Sequence, residues 1–408
     1  MHPTIFRHRI FPSLAEGRAG ANTIFFDGAA GTQMACRSIE RMNKAMLDEN
    51  ANFGGFFDTS IRAVELVAQT RAALVDFFNA YDTREIVFGQ NMTTLTLAMA
   101  RTLGRRLNPG DEIVLTRMDH DANVAPWLSL AEDRGLVVKW LDFSTETYDY
   151  DLTQLDHLLT SKTKLVAVNY ASNVIGTIND VRTISARAKA VGALVFVDAV
   201  QYAPHGVIDV QEIGCDFLVC SAYKFYGPHY GVLWGKLDVL ESLEPYKVRT
   251  APAYSPDKFE TGTKSREAIA GVLGAIEHFE WLGGEQPNRR ARIVAGMNGV
   301  IEHEDSLTKQ LISGLQAING VTIHGKSSVN GGRVPTVALT VRGKQPAEVA
   351  KALASHKINV WNGHNYGWEP VKRLGLLESG GVVRVSLAQY NTSEEVDYFL
   401  EKLAAESR

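Results

Sequence analysis

Two apolar periods alternate between about residue 60 and residue 236. The segments IRAVELVAQTRAALVDFFNA, MTTLTLAMARTL, ANVAPWLSLAEDRG, LTQLDHLLT and DVRTISARAKAVG repeat their apolar residues every three to four positions and predict helices. Between and after them run EIVFG, DEIVLTR, LVVKWLDF, TKLVAVNYAS, ALVFVDA, DFLVCSA and YGVLWG. Most of these are continuous apolar runs, the signature of strands buried on both faces. Strands of that kind separated by helices predict an α/β fold: a mostly parallel sheet between two helical layers. Ligands of such sheets lie beyond the carboxyl ends of the strands.

After about residue 265 the texture changes. One long helical stretch, 266–318, leads into VTIHG, RVPTVALTV, PAEVAKALASHK, INVWNG, VVRVSLA and a last helix. Thr392 with Glu395 three residues on forms a capping box ahead of the apolar run VDYFLEKL. These elements predict a smaller α+β domain. With no repeat and no low-complexity linker, the parts are expected to pack closely. We divide the chain into an N-terminal arm over 1–22 that packs on the small domain, a large domain over 23–285 and a small domain over 286–408.

Composition narrows the function classes. A chain of 408 residues with 45% hydrophobic residues buries a large core. A net charge of −4 without blocks of like sign argues against a nucleic-acid footprint or a polybasic membrane patch. No segment reaches about 18 uninterrupted apolar residues, so no membrane span is expected. Cys36, Cys215 and Cys220 have neither metal spacing nor a disulfide framework, which fits reduced thiols in a cytoplasmic protein. The expected partner is a small molecule.

Candidate chemistry concentrates at Asp198, which ends ALVFVDA, and Lys224, which follows the next apolar strand. A strand-end aspartate and a strand-edge lysine are the plain alternatives. A pyridoxal 5'-phosphate site needs both groups, a lysine for the covalent link and a carboxylate to keep the pyridine nitrogen protonated.

VDAVQYAPH followed by CSAYKFYGPHYGVLWG resembles the class V aminotransferase family of fold-type I pyridoxal phosphate enzymes, within it the cysteine desulfurase and selenocysteine lyase branch. The resemblance implies that Lys224 carries the cofactor, Asp198 pairs with the pyridine nitrogen, Gln201 contacts the ring hydroxyl and Ser221 binds phosphate. Tyr223 stands where the family usually has histidine, and its phenol is expected to donate to phosphate. FGQNMTTLTLA implies a phosphate cup at Met92 and Thr93, on a helix N-terminus that favours anions. TRMDHDANVAPW makes His120 the imidazole that stacks on the cofactor ring and moves protons. NYASNVIGT places Asn173, and FFDGAAGTQ places Ala29 and Ala30, beside the substrate. FETGTKS implies that Thr263 reaches the phosphate of a neighbouring subunit, hence a homodimer with shared active sites. GGVVRVSLAQYNT makes Arg384 the clamp of an α-carboxylate.

One departure matters. Desulfurases of this family carry a loop cysteine before the KRLG segment, and here WNGHNYGWEPVKRLG has Tyr366 at that position. A subgroup lacking this cysteine keeps the cofactor half of the site without the sulfur acceptor. The resulting expectation is an enzyme that cleaves a C–S bond of cysteine or a cysteine S-conjugate by β-elimination, with Tyr366, His364 and Trp361 around the substrate side chain. Desulfuration without the loop thiol, transamination or epimerisation use the same activation at Cα, and a silent scaffold is the non-enzymatic alternative.

Overall fold

The structure, a computed structural model, describes residues 7–329 and 332–407. The first six residues of the expected 1–22 arm lie outside that range. Seven strands form the larger sheet: β1 (Ile86–Gly89), β2 (Glu112–Thr116), β3 (Val137–Leu141), β4 (Thr163–Asn169), β5 (Leu194–Asp198), β6 (Phe217–Ser221) and β7 (Gly231–Gly235). Their order is β1-β7-β6-β5-β4-β2-β3, and only β7 runs antiparallel to its neighbours. The continuous apolar runs have a physical reason. Val166, Val168, Val195, Val197 and Leu218 enter one buried cluster, while Leu165, Ala167, Phe196, Phe217 and Val219 enter another. Alternate residues of each strand thus face opposite helical layers, and both faces must be apolar.

The stretch 266–318 is two helices rather than one, Arg266–Leu282 and Arg289–Ala317. Gly284 takes a positive φ of +65°, and Asn288 starts the second helix by accepting from the Ala291 amide at 2.8 Å. The two helices touch through their backbones: a Cβ on Gly296 would sit 2.1 Å from the Phe279 carbonyl oxygen. Helical periodicity runs through both segments, so the break is carried by the Gly-Gly pair and the cap.

A second, antiparallel sheet of β8 (Val321–His324), β9 (Thr336–Val341), β10 (Trp361–Gly363) and β11 (Val382–Ser386) has the order β10-β11-β9-β8. Leu339, Val383 and Val385 bury against Leu311 and Phe399 of the flanking helices. INVWNG does not form one strand. Ile358–Asn359 pairs in parallel with Ile24–Phe25, and Trp361–Gly363 joins the second sheet. The expected capping box is present, with Thr392 Oγ1 accepting from the Glu395 amide at 3.3 Å and Glu395 Oε2 from the Thr392 amide at 3.2 Å. Near the N-terminus, Arg7 pairs with Glu395, and the Phe11 ring packs 5.1 Å from Tyr390 and 5.4 Å from Tyr226. Among the described residues no helix is long and apolar enough to cross a membrane.

Candidate active site

The carboxyl ends of β4, β5 and β6 converge on one crevice, as strand order in an open parallel sheet dictates. Asn169 and Asp198 are the last, paired residues of β4 and β5, and Ser221 ends β6. A single 3₁₀ turn, Ala222–Lys224, then brings the lysine back over the sheet edge. The crevice encloses about 500 Å³ and is lined by Thr93, His120, Asp198, Gln201, Tyr223 and Lys224, with Met92, Asn173 and Ser221 beside them. It opens into a second space of about 810 Å³ that shares Lys224 and His120 and adds Ala29, Ala30, Arg384, His364 and Tyr366. Fifteen of the sixteen site residues named from the sequence thus meet at one place. Thr263 does not: it is exposed and lines neither space.

Lys224 is buried, and its ammonium donates to the Ala29 carbonyl. Burial, reinforced by the Arg384 charge and opposed by Asp198, brings its pKa down to about 7. A lysine in that state is a competent nucleophile and base near neutrality. Asp198 accepts from the Val200 amide at 2.8 Å, and burial pushes its carboxyl up to about 6, with Lys224 pulling the other way. It remains mostly ionised at pH 7.

The helix Met92–Gly104 points its N-terminus into the crevice, capped by Asn91, whose side chain accepts from the Thr94 amide at 2.9 Å. The Met92 amide donates to Ser221 Oγ at 2.9 Å, so two expected phosphate ligands here satisfy each other. This cup depends on Gly231, since a Cβ there would lie 2.5–2.8 Å from the Asn91 backbone. Tyr223 stacks on His229, with ring centroids 4.8 Å apart, and Lys224 Nζ lies 4.8 Å above the Tyr223 ring.

His120 has its pKa lowered to about 3, by burial first and then by Lys224 and Arg384. The ring is therefore neutral. Its Nδ1 accepts from the Ala122 amide at 3.0 Å, which leaves the ring proton on Nε2. Tyr366 stacks over this ring at 5.6 Å and 21°. Behind His120, the buried Asp119 accepts from the Asn123 side chain at 2.7 Å and the Asn169 amide at 3.1 Å, tying this turn to the end of β4.

Gln201 lines the crevice, but its amide donates to Thr336 Oγ1 at 3.0 Å, across to the second sheet. From that sheet Arg384, buried on β11, donates to the Asn173 carbonyl at 2.9 Å. Its Nε and Asn173 Oδ1 are buried without a protein partner, as is Asp27 Oδ1. Unpaired buried polar atoms at a cavity wall are costly and point to a polar ligand. Asp27, with its carboxyl raised to about 6 by burial while Arg384 pulls it down, was not singled out from the sequence. Neither was His229 or Asp119; the only signals for them are the FFDG start and the GPHYG and MDH turns.

A parallel sheet with a lysine and a carboxylate at adjacent strand ends, an anion-favouring helix N-terminus and a buried arginine from a second sheet define a cofactor-dependent amino-acid enzyme. The sequence profile of the aminotransferase class-V family matches residues 24–399, and the chain belongs to this family of pyridoxal-phosphate-dependent enzymes. It is 35% identical over 403 residues to an aminotransferase-like protein of Gibberella zeae, covering 96% of each chain. It is 33% identical to a cysteine desulfurase of Pectobacterium carotovorum, covering 95% of this chain and 94% of the relative. Among solved structures, a cysteine desulfurase of Thermococcus onnurineus in its apo form superposes with a TM-score of 0.87 at 27% identity, covering 98% of this chain and 97% of the other. The cysteine desulfurase CsdA of Escherichia coli gives 0.85 at 26%, covering 100% and 99%.

Proposed function

We propose that this chain holds pyridoxal phosphate in the 500 Å³ crevice and cleaves the C–S bond of cysteine or a cysteine S-conjugate by β-elimination. The observation that carries this reading is the buried Lys224–Asp198 pair in a cavity whose far wall presents Arg384 and Tyr366 but no cysteine among the described residues. The residues fit the cofactor: Lys224 for its aldehyde, Asp198 for its ring nitrogen, and Thr93, Ser221 and Tyr223 with the helix N-terminus for its phosphate. When bound, the cofactor accepts the electron pair released at Cα. Arg384, through its unpaired Nε, orients the substrate carboxylate. Lys224 Nζ, with a pKa of about 7, takes the Cα proton. The Nε2–H of His120 faces the reacting centre as a neutral donor, and the Tyr366 hydroxyl can protonate the departing sulfur. The balance is one amino acid and one water to a thiol or sulfide, pyruvate and ammonia.

The names of the relatives favour a second reading, desulfuration without a loop thiol. Incubating the holoenzyme with cysteine, cystine and S-conjugates while measuring pyruvate, alanine and persulfide separates the two. Pyruvate with thiol is the expected result, alanine with persulfide is desulfuration, and a need for a keto acid is transamination. A protein that takes up no cofactor is a scaffold. Our reading includes a division into the units 1–22, 23–285 and 286–408. It also includes a homodimer in which the exposed Thr263 reaches the partner's phosphate, and a cytoplasmic setting supported by three unpaired cysteines.

A further inference from the structure

The space of about 810 Å³ runs from Lys224 and Arg384 out to Leu97, Ser129 and Trp361, further than a cysteine reaches. One wall is made by Leu97, Ala125 and Pro126, the other by Trp361, His364 and Tyr366. In the single chain Tyr366 is 70% exposed and Trp361 50%, so large apolar surfaces edge the mouth of the slot. They are held there rather than left loose. The Asp121 amide donates to the Tyr366 carbonyl at 2.7 Å, the Asn173 side chain to the Asn365 carbonyl at 2.8 Å, and the Tyr366 amide to His364 Nδ1 at 3.1 Å. These bonds keep Asn365 and Tyr366 at φ of +53° and +55°, a conformation costly for a tyrosine and concentrated at ligand clamps. The result is an edge-on array, His364 to Tyr366 at 89° and Tyr366 flat over His120. Among the described residues of this chain, no lysine or arginine besides Lys224 and Arg384 lines the slot and Asp121 is its acidic group, so this chain offers a second anionic group no counter-charge.

We infer that the substrate side chain is an uncharged aromatic group carried on the Cβ heteroatom, seated between the Leu97–Ala125 wall and the Tyr366 loop. This rests on the reading above for the cofactor and the carboxylate clamp, but not for the reaction that follows binding. The probes are O-benzyl-L-serine and O-methyl-L-serine, whose ethers leave poorly, titrated against the holoenzyme and followed by the visible band of the cofactor. Burial of the ring predicts binding about 10- to 100-fold tighter for the benzyl ether. Ala125→Trp and Ser129→Trp, at exposed positions along the slot, are each expected to lower that ratio about tenfold. Equal binding of the two ethers, or a ratio that neither variant moves, overturns the inference. Pyruvate release from S-benzyl-L-cysteine and from cysteine judges the reaction separately: no pyruvate from either defeats β-elimination, while the binding ratio still decides the side chain.

Discussion

At the scale of single residues, Lys224 and Asp198 carry opposite electrostatic burdens. Lys224→Ala is expected to give a protein from which pyridoxal phosphate is removed by dialysis, whereas in the parent borohydride bleaches the visible band and leaves the reduced cofactor attached through denaturation. The signs of the pH dependence follow from linkage. Asp198, raised from 3.8 to about 6, holds a proton when folded that the unfolded chain releases, so its contribution to stability is lost as pH rises between about 4 and 6. Lys224, lowered from 10.5 to about 7, lacks a proton that the unfolded chain keeps, so its burden eases as pH rises between about 7 and 10. In the cofactor-free protein, Asp198→Asn should therefore gain in Tm over the parent as pH goes from 4 to 6. The advantage of Lys224→Met should shrink from pH 7 to 10. Thermal scans across both windows check this, and flat differences would contradict the burial assigned to the pair.

At the scale of elements, the approach of β7 to the Asn91 cap is the tightest constraint on the crevice. Gly231→Ala must push the start of the helix Met92–Gly104 away from β7, and it is expected to cost about 1–3 kcal/mol in denaturant unfolding. A loss of cofactor affinity larger than that of Thr93→Ala should accompany it. Trp127→Ala removes a fully buried ring packed 5.2 Å from Phe196 and should cost about 3–5 kcal/mol. The seven sheet strands were legible because most are apolar on both faces, and the last helix because Thr392 and Glu395 reciprocate. The break at Gly283–Gly284 was not, because helical periodicity runs through both segments, nor was the division of INVWNG between two sheets, because tertiary pairing decides it. Lys224 and Asp198 could be placed from strand ends alone. The roles of His120, Asn173 and Arg384 needed the family resemblance, and Asp27 stayed hidden because its meaning comes from Arg384, far along the chain.

At the scale of the whole molecule, the two sheets are joined through buried polar contacts around the crevice. Arg384 reaches Asn173, Gln201 reaches Thr336, and the Ala29 amide donates to Ser386 Oγ at 3.0 Å. Deeper down, His205 Nδ1 lies 2.7 Å from Glu304 Oε2, linking the segment after β5 to the helix Arg289–Ala317. His205→Leu or Glu304→Leu alone leaves one buried polar group without its partner and should cost about 3–5 kcal/mol. The double variant should recover much of that loss in a double-mutant cycle, and strict additivity would mean the contact is not formed. The thiols lead elsewhere. Cys215 and Cys220 are buried with pKa values driven far up by burial, Cys36 is raised too, and none borders the crevice. Enzymes that work through a loop thiolate are silenced by peroxide or alkylating agents. In this chain no cysteine stands at the crevice for such reagents to reach.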